Sequence, residues 1–288
     1  MAFEAMRRRV KNRARSFASR MRQAYVDTFL AFGSVELSAA LRRAGVAEGD
    51  QLMLHSAFEA RHGFRGSVID LIDCLTTTVG EQGGVYMVSL PYASSTAEYL
   101  RRDPVFDVRR TPSRMGLISE FFRRQPGVIR SEHPTHPILG RGPQAQRILE
   151  GHARCAYGCG PGSPFERLLQ SAGKVAFLNV PMDTMTYFHY LEHLVAPSLP
   201  FPLYEQQPMT ARMRNEGGAE QRLETWVFSA EAIRRRRPAI LQGWMQAAGI
   251  VGTAEVGATC IRVIPMKEVT ELVLGKAARG EFFFDMAE

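Results

Sequence analysis

The feature that most constrains the fold is a strand–helix–strand order near the start of the chain. Residues 51–54 form a short apolar run that ends at His55 and Ser56, and residues 85–90 form a second run. Between the runs, Ser67 precedes apolar residues at helical spacing, which predicts a capped helix. Two buried strands joined by a helix form the unit of a parallel sheet, so the sequence predicts an α/β fold.

Further elements are predicted along the rest of the chain from the spacing of apolar residues. Strands are expected at residues 174–180, 223–228 and 261–264. Helices are expected at 34–41, 117–124, 144–150, 184–195 and 229–248 and from 267 onward, and loops at 127–143 and 158–164.

Size and composition are typical of a globular protein. The chain has 288 residues, 45% hydrophobic and 23% charged, enough for one large domain or two small ones. It has no apolar run of 18 residues, and the N-terminus lacks the apolar core of a signal peptide. The expected location is therefore the cytoplasm.

The four cysteines are too few and too scattered for a disulfide framework. Cys155 and Cys159 are close in sequence, but a closed zinc site needs four ligands. The sequence predicts neither disulfides nor a metal.

The net charge of +7 is concentrated in an N-terminal arm. Residues 1–30 hold eight Lys or Arg and two acids, a net +6, which leaves +1 for the rest. A nucleic-acid-binding body is therefore not expected. Apolar residues in the arm recur at helical spacing: Phe3, Met6, Val10, Phe17 and Met21.

Residues 1–33 are therefore predicted to form a basic amphipathic helix, and residues 34–288 the main domain. Such a helix either lies on an anionic membrane surface, here the inner membrane face, or meets a partner. Alternatively, it packs on its own domain or on a second subunit of a homo-oligomer.

Polar residues at steps of three and four follow the strand predicted at residues 174–180. Thr186, His189, Glu192 and His193 are expected on one helix face, with Asp183 near the helix start. A histidine held by a carboxylate accepts a proton near neutral pH. The same spacing also occurs on ordinary solvated helix faces, and metal ligation would need partners from elsewhere.

Two other segments carry chemistry-bearing residues. His55 and Ser56 are adjacent on a strand, so their side chains point to opposite faces, and the strained turn of a serine hydrolase is missing. Residues 63–67, with Arg65, Gly66 and Ser67, either hold a phosphate at a helix start or simply cap the helix.

Taken together, six motifs over residues 34–275 resemble the aminoglycoside 3-N-acetyltransferase family, also called the antibiotic N-acetyltransferase family. They occur in the family's order: His55-Ser56-Ala57-Phe58, the Gly-rich segment 63–67, Thr111-Pro112-Ser113-Arg114-Met115-Gly116, Arg130-Ser131-Glu132-His133-Pro134-Thr135-His136, Gly160-Pro161-Gly162-Ser163-Pro164, and Asp183 through Glu192.

The resemblance implies a three-layer α/β/α sandwich around a largely parallel sheet, and an enzyme that uses acetyl-CoA and no metal. It implies that His189 and Glu192 correspond to the family's catalytic His and Glu. Cofactor contacts are implied for three segments: His55, Ser56 and Ala57; Arg65, Gly66 and Ser67; and Thr111, Ser113, Met115 and Gly116.

The resemblance implies direct transfer, in which His189, oriented by Glu192 or Asp183, takes the proton of the attacking amine. The oxyanion is expected to be held by backbone amides near His55 or by a hydroxyl of Thr111 or Ser113. The anionic cofactor favours arginine partners, with Arg65 and Arg114 as candidates. Acceptor contacts are expected from His133, His136, Tyr92 and Thr186.

Departures from the family pattern bear on the acceptor. Ala57 replaces the second serine of the first motif, and Pro137 follows His136, where the family often has serine. Ala156 precedes Tyr157, and residues 91–96 carry no acid, whereas the antibiotic-modifying members carry acidic residues at both places.

Because aminoglycosides are polycations, fewer carboxylates favour other acceptors. Three hypotheses therefore stay open: an aminoglycoside acceptor, an amino sugar of surface-polysaccharide synthesis, or a non-catalytic binding protein.

Overall fold

The computed structural model describes residues 2–57 and 62–286, so Phe58 of the first motif lies outside the described residues. The helices are α1 (Ala2–Phe29), α2 (Ser34–Arg43), α3 (Val68–Val79), α4 (Thr96–Arg101), α5 (Leu117–Arg123), α6 (Ala145–Leu149), α7 (Pro164–Gln170), α8 (Phe188–Val195), α9 (Ala230–Arg235), α10 (Pro238–Ala247) and α11 (Met266–Ala277). The strands are β1 (Gln51–Ser56), β2 (Gly84–Val88), β3 (Val105–Asp107), β4 (Ile129–Arg130), β5 (Ile138–Arg141), β6 (Lys174–Leu178), β7 (Met209–Arg214), β8 (Glu220–Thr225), β9 (Gly252–Val256) and β10 (Thr259–Pro265).

Seven strands form one mixed sheet in the order β4-β5-β2-β1-β6-β10-β9. Strand β1 pairs in parallel with β2 on one side and with β6 on the other. The outer pairs on both sides are antiparallel. The parallel unit predicted from the sequence is therefore the centre of the sheet.

Side chains alternate between the two faces of this sheet, and helices cover each face. In β1, Met53 packs into a core with α6, α7, α8, α10 and α11. Leu52 and Leu54 pack on the opposite face with α2, α3 and α5. Strands buried on both faces carry continuous apolar runs, which explains the pattern at residues 51–54. The α/β/α sandwich predicted from the sequence is confirmed.

The model corrects three predicted elements. The loop expected at residues 127–143 contains β4 and β5. The helix expected at 184–195 begins only at Phe188, after a 3₁₀ turn at Met182–Thr184. The helix expected at 229–248 is broken between α9 and α10, because Pro238 lacks an N–H and disfavours helical geometry at Arg237.

A second sheet has three strands in the order β3-β7-β8. The strand expected at residues 223–228 lies earlier, at Glu220–Thr225. The chain then turns back toward α8, so that Trp226 and Phe228 follow the strand as partly exposed aromatic residues.

The basic arm forms most of α1, and several of its described apolar side chains face solvent. Met6, Phe17 and Met21 are each more than half exposed, whereas Phe3 and Val10 lie outside the described side chains. The end of the helix contacts the body: Val26 is buried, and Asp27 O accepts a 2.9 Å hydrogen bond from Arg65. The division into residues 1–33 and 34–288 stays a prediction.

None of the helices within residues 2–57 and 62–286 combines the length and the apolar character that a membrane-spanning helix needs.

Candidate active site

A histidine–carboxylate pair lies on the first turns of α8. Nδ1 of His189 is 2.8 Å from Oε2 of Glu192, three residues further along the helix. The Glu192 side chain is 0% exposed and that of His189 is 25% exposed. Because an ionised carboxylate only accepts hydrogen bonds, Nδ1–H of His189 donates to it. The second ring nitrogen, Nε2, is then the basic one.

A second cation holds the same carboxylate. Nε of Arg236 is 2.5 Å from Oε1 of Glu192, and a terminal nitrogen is 2.9 Å from Oε2. The guanidinium lies 4.9 Å from the ring centre of Phe228 and 5.8 Å from that of Phe188. Arg236 was not predicted as a site residue. It lies 44 residues after Glu192 and is one of four consecutive arginines.

The other predicted carboxylate, Asp183, does not hold His189. Asp183 lies exposed in the 3₁₀ turn at Met182–Thr184, which is separate from α8. The prediction that Thr186 shares a helix face with His189 was wrong, because Thr186 precedes α8. The carbonyl of Thr186 does accept the backbone N–H of His189. His193 turns toward a different partner, with Nδ1 2.9 Å from the hydroxyl of Tyr204.

Three buried histidines lie behind His189. His133, His136 and His152 are in contact, with 4.5 Å between the ring centres of His133 and His152. Burial lowers the pKa of His136 and of His152 to about 3, and lowers the pKa of His133 well below its usual value. All three rings are therefore neutral at neutral pH.

The predicted acceptor residues differ in access. The ring of His136 meets that of His189 edge-on at 6.4 Å between centres, so it borders the site. His133 is buried, with Nε2 donating to Cys155 O and Nδ1 accepting from Thr135 and His136. The hydroxyl of Tyr92 is also buried and bonded to Thr96 at 2.8 Å.

A cleft of about 280 Å³ opens at the carboxyl ends of β1 and β2. Ligand crevices of open α/β sheets lie at this edge. Four of the predicted site residues line it, namely His55, Ser56, Met115 and Thr186, and so does Arg114, which was predicted as a phosphate partner. Ser119 and Thr184 also line the cleft and were not predicted. One of these residues, Thr186, accepts the backbone N–H of His189 through its carbonyl at 3.0 Å.

The ring of His55 is neutral in this cleft. It stacks on Phe177 with 5.5 Å between ring centres, and burial lowers its pKa to about 4. Its Nε2 is buried without a hydrogen-bond partner among the described residues.

The segment at residues 111–116 forms one wall of the cleft. Oγ of Ser113 is buried, 2.9 Å from Oγ of Ser119, and the hydroxyl of Thr111 accepts from Asp107 N–H. The guanidinium of Arg130 donates to the carbonyls of Thr111 and Ser89, which ties this wall to β2. Both predicted hydroxyls therefore support the turn.

Gly116, which precedes α5 in that wall, has φ of 109°, in a region that favours glycine. A glycine at this position is therefore explained by the backbone conformation before α5, without the predicted contact to the cofactor.

The Gly-rich segment lies elsewhere. Arg65 donates to Asp27 O on α1, and Ser67 exchanges capping hydrogen bonds with Asp70 at the start of α3. A Cβ at Gly66 would stand 2.6 Å from the Phe64 ring. Ala57 extends the strand by donating to Leu178 O. Among the described residues that line the cleft, none comes from 63–67.

Partly exposed aromatic rings form a chain of contacts that begins at His189. Phe228 is 4.8 Å from His189 between ring centres, Tyr204 is 5.2 Å from Phe228, and Tyr157 is 4.6 Å from Tyr204. Trp226 stacks on Tyr157 at 5.8 Å. We call these four residues the aromatic shelf: Tyr157, Tyr204, Trp226 and Phe228.

An open groove of about 520 Å³ adjoins the shelf at Tyr204 and carries Glu205 and Glu231. The carboxylate of Glu231 pairs with Arg235, and that of Glu205 accepts the N–H of Ala230. At the shelf itself, the carbonyl of Ala156 accepts Trp226 N–H.

The two neighbouring cysteines, Cys155 and Cys159, are buried free thiols. Across the described part of the chain, His, Cys, Asp and Glu side chains do not gather in groups of three with metal-binding geometry.

Comparison with known proteins supplies independent information. The family model described as "Aminoglycoside 3-N-acetyltransferase" matches residues 53–275. Aminoglycoside N(3)-acetyltransferase III of Serratia marcescens is 32% identical over 173 residues, 56% of this chain and 64% of that protein. Aminoglycoside N(3)-acetyltransferase VII of Streptomyces paromomycinus is 27% identical over 82% of this chain and 88% of that protein. The chain thus spans under two thirds of the first of these relatives.

Solved structures share the fold. Aminoglycoside acetyltransferase AAC(3)-Xa superposes with a TM-score of 0.76 at 24% identity, covering 90% of this chain and 96% of that one. AAC-IIIb, solved as a binary complex with CoASH, gives 0.72 at 24% identity and covers 89% and 99%.

Proposed function

This chain belongs to the aminoglycoside 3-N-acetyltransferase family, and from that premise we propose that it transfers an acetyl group from acetyl-CoA to an amine of an aminoglycoside or amino-sugar-like acceptor. The observation that carries the proposal is the 2.8 Å bond from His189 Nδ1 to a fully buried carboxylate. It leaves Nε2 basic on a ring that is partly open to solvent and lies beside Phe228 of the aromatic shelf.

In this mechanism, His189 Nε2 takes a proton from the acceptor amine as the amine nitrogen bonds to the acetyl carbon. The C–S bond of the thioester breaks, and the proton passes to the leaving thiolate. The reaction is a direct transfer without a covalent enzyme intermediate. Glu192 fixes the tautomer and stabilises the imidazolium that forms.

The cleft at β1 and β2 suits the acetyl-CoA co-substrate. Its walls offer the Ser56 and Ser119 hydroxyls, the apolar Met115 side chain and the exposed cation Arg114. Arginine is a favourable partner for phosphate groups. The Arg65 side chain, which bonds to Asp27 O, is the weaker of the two candidates proposed from the sequence.

The aromatic shelf favours a sugar acceptor. Partly exposed rings present flat apolar faces, and the neighbouring hydroxyls and Glu205 can accept hydrogen bonds. The described surface beside His189 is richer in rings than in carboxylates, which supports the second candidate: an amino sugar of surface-polysaccharide synthesis with few amines. The intact His189–Glu192 pair argues against the non-catalytic alternative.

The arm adds a proposed partner. The exposed Met6, Phe17 and Met21 occur on a helix with exposed Arg7, Arg8 and Arg20. An apolar stripe with basic flanks matches the surface of an anionic bilayer. We therefore assign α1 to peripheral membrane contact, with packing against a second subunit as the competing outcome.

Thiol release from acetyl-CoA tests the proposed function. The panel contains polyamine aminoglycosides, monoamine hexosamines and simple alkylamines. We expect release with at least one sugar amine and none with alkylamines, which lack a ring for the shelf. Failure of every sugar amine, with CoA binding intact by calorimetry, would contradict the proposal.

A further inference from the structure

The side chain of Glu192 has no exposed surface, and both of its carboxylate oxygens accept hydrogen bonds from other side chains. Oε2 is shared by His189 and Arg236, and Oε1 is held by Arg236 alone. A buried carboxylate is costly unless a charge and hydrogen bonds compensate it. The neutral ring of His189 supplies one hydrogen bond and no charge, so the compensating charge is that of Arg236.

The other titratable groups that face this pair are uncharged at neutral pH. His136 borders His189 from the buried histidines, and burial lowers its pKa to about 3. Cys159 faces Glu192 from the loop before α7, and Tyr204 faces it from the shelf; burial raises the pKa of both. Among the described groups, Glu192 and Arg236 therefore carry the opposing charges at His189.

The backbone around Arg236 is fixed by the C-terminal segment. Arg236 forms a β-bridge with Phe284, Arg237 N–H donates to Phe283 O, and Asp285 N–H donates to Arg235 O. The side chains of the two neighbouring arginines bond to Glu231 and Asp285 near the surface. Arg236 alone of these three turns inward to Glu192.

We propose that Arg236 is a positioning residue that keeps Glu192 ionised and His189 ready to accept a proton. This inference rests on the proposed role of His189 as the base, and it adds Arg236 to the His189–Glu192 pair. With Arg236 present, the group of three is neutral when His189 is neutral. Without it, the same state carries an uncompensated buried negative charge, so the His189–Glu192 pair takes up a proton at higher pH.

The experiment compares Arg236→Gln, Arg236→Lys and Arg237→Gln with the unaltered protein. Arg237→Gln is the matched control, because it removes the same charge from the adjacent residue, whose side chain bonds to Asp285 and to the carbonyls of Arg234 and Arg236 rather than to Glu192. Histidine titration is followed by NMR on protein with ¹³C-labelled histidine, and His189→Ala assigns the signal. This readout needs no acceptor, so it is independent of the proposed reaction.

We expect the His189 midpoint to rise by about one to two pH units in Arg236→Gln. It should stay near the original value in Arg236→Lys, which keeps the charge, and in Arg237→Gln. With an active acceptor, kcat should fall about 10- to 100-fold in Arg236→Gln while the KM for acetyl-CoA holds. Arg236→Lys should also lose turnover, because lysine lacks the two-pronged geometry.

A purely structural role predicts a different result. In that case Arg236→Gln lowers the melting temperature and leaves the His189 midpoint where it was, which would overturn the proposal. If Arg236→Gln does not fold, Arg236→Lys decides through the same NMR readout: a His189 midpoint that moves although the charge is kept would also overturn it. An altered midpoint without any acetyl transfer would uphold the Arg236 role and count against the proposed function alone.

Discussion

The side chains of His189 and Glu192 are joined by a 2.8 Å hydrogen bond across one turn of α8, and they differ sharply in exposure. The carboxylate is enclosed by protein, whereas the imidazole is 25% exposed and lies beside Phe228 of the aromatic shelf. This asymmetry suits a fixed anion that orients a base accessible to substrate. It also defines which nitrogen faces the acceptor, since Nδ1 is engaged.

Arg114 and Arg65 should differ in their effect on the co-substrate. Arg114→Ala removes a cation from the cleft, and we expect the KM for acetyl-CoA to rise about tenfold, corresponding to about 1.4 kcal/mol. Arg65→Ala removes an equal charge from a residue bonded to Asp27 O and serves as the comparison. Steady-state kinetics at fixed acceptor measure both. A larger effect for Arg65→Ala would move the phosphate site to the Gly-rich segment.

Gly158 should tolerate no side chain, because its backbone packs on the buried histidines. A Cβ there would overlap the ring of His136 and stand 2.9 Å from His133. Gly158→Ala should lose about 1–3 kcal/mol of stability, as overpacked cores do, and lose turnover as His136 shifts. Gly243→Ala is the control, since a Cβ at that α10 position meets nothing within 4 Å. Urea unfolding measures both, and equal stability for the two variants would contradict this packing account.

Acid should unfold the protein through the buried histidines. Each of His133, His136 and His152 has a pKa below its usual 6.5, so the unfolded chain binds protons that the folded chain does not. Their contribution is full above about pH 6.5 and falls as the pH drops toward 3, by about 1.4 kcal/mol per pH unit for each ring.

Urea unfolding between pH 7 and pH 4 should therefore show a steep loss, which in His152→Asn should be smaller by the share of one ring, about 1.4 kcal/mol per pH unit. A flat unfolding free energy from pH 7 to pH 5 would mean that these rings are not buried as neutral groups.

The arm should be dispensable for chemistry but needed for membrane contact. Deleting residues 2–22 leaves Val26 and the Arg65–Asp27 hydrogen bond in place, which a deletion of residues 2–30 would destroy. We expect unchanged turnover of a soluble acceptor and loss of sedimentation with anionic vesicles, each Lys or Arg contributing about 1 kcal/mol at low salt. A truncated protein that melts earlier or changes its subunit count, with no vesicle binding by the full chain, would assign α1 to a structural or oligomeric role.

Much of the fold was predictable because the central strands are buried on both faces. The runs containing Leu52, Val85 and Val175 are continuous and apolar, and each is flanked by helical patterns. Strand β5 escaped prediction because only four residues pair, and they follow the polar stretch 131–137. Strand β4, at the edge of the sheet, has only two residues, and both are partly exposed, so it carries no apolar strand pattern.

The contact between His189 and Glu192 could be predicted from the sequence, because residues three apart on one helix are neighbours. The choice between Glu192 and Asp183 was not, since it depends on where the helix begins. Arg236 was hidden because four consecutive arginines look equivalent in sequence, and only the pairing with Phe284 selects the one that turns inward. His133 and Tyr92 were predicted to contact the acceptor, but both side chains are buried, and burial cannot be seen in the sequence motifs.

His189→Ala tests the central claim most directly, with thiol release measured for any acceptor that the native protein uses. Turnover should fall about 10²- to 10⁴-fold, because only the proton transfer is lost. Calorimetric titration should show unchanged CoA binding, since the cleft at β1 and β2 does not include this ring among its described walls. Near-native turnover in that variant, at any pH between 6 and 8, would contradict the assignment of His189 as the base.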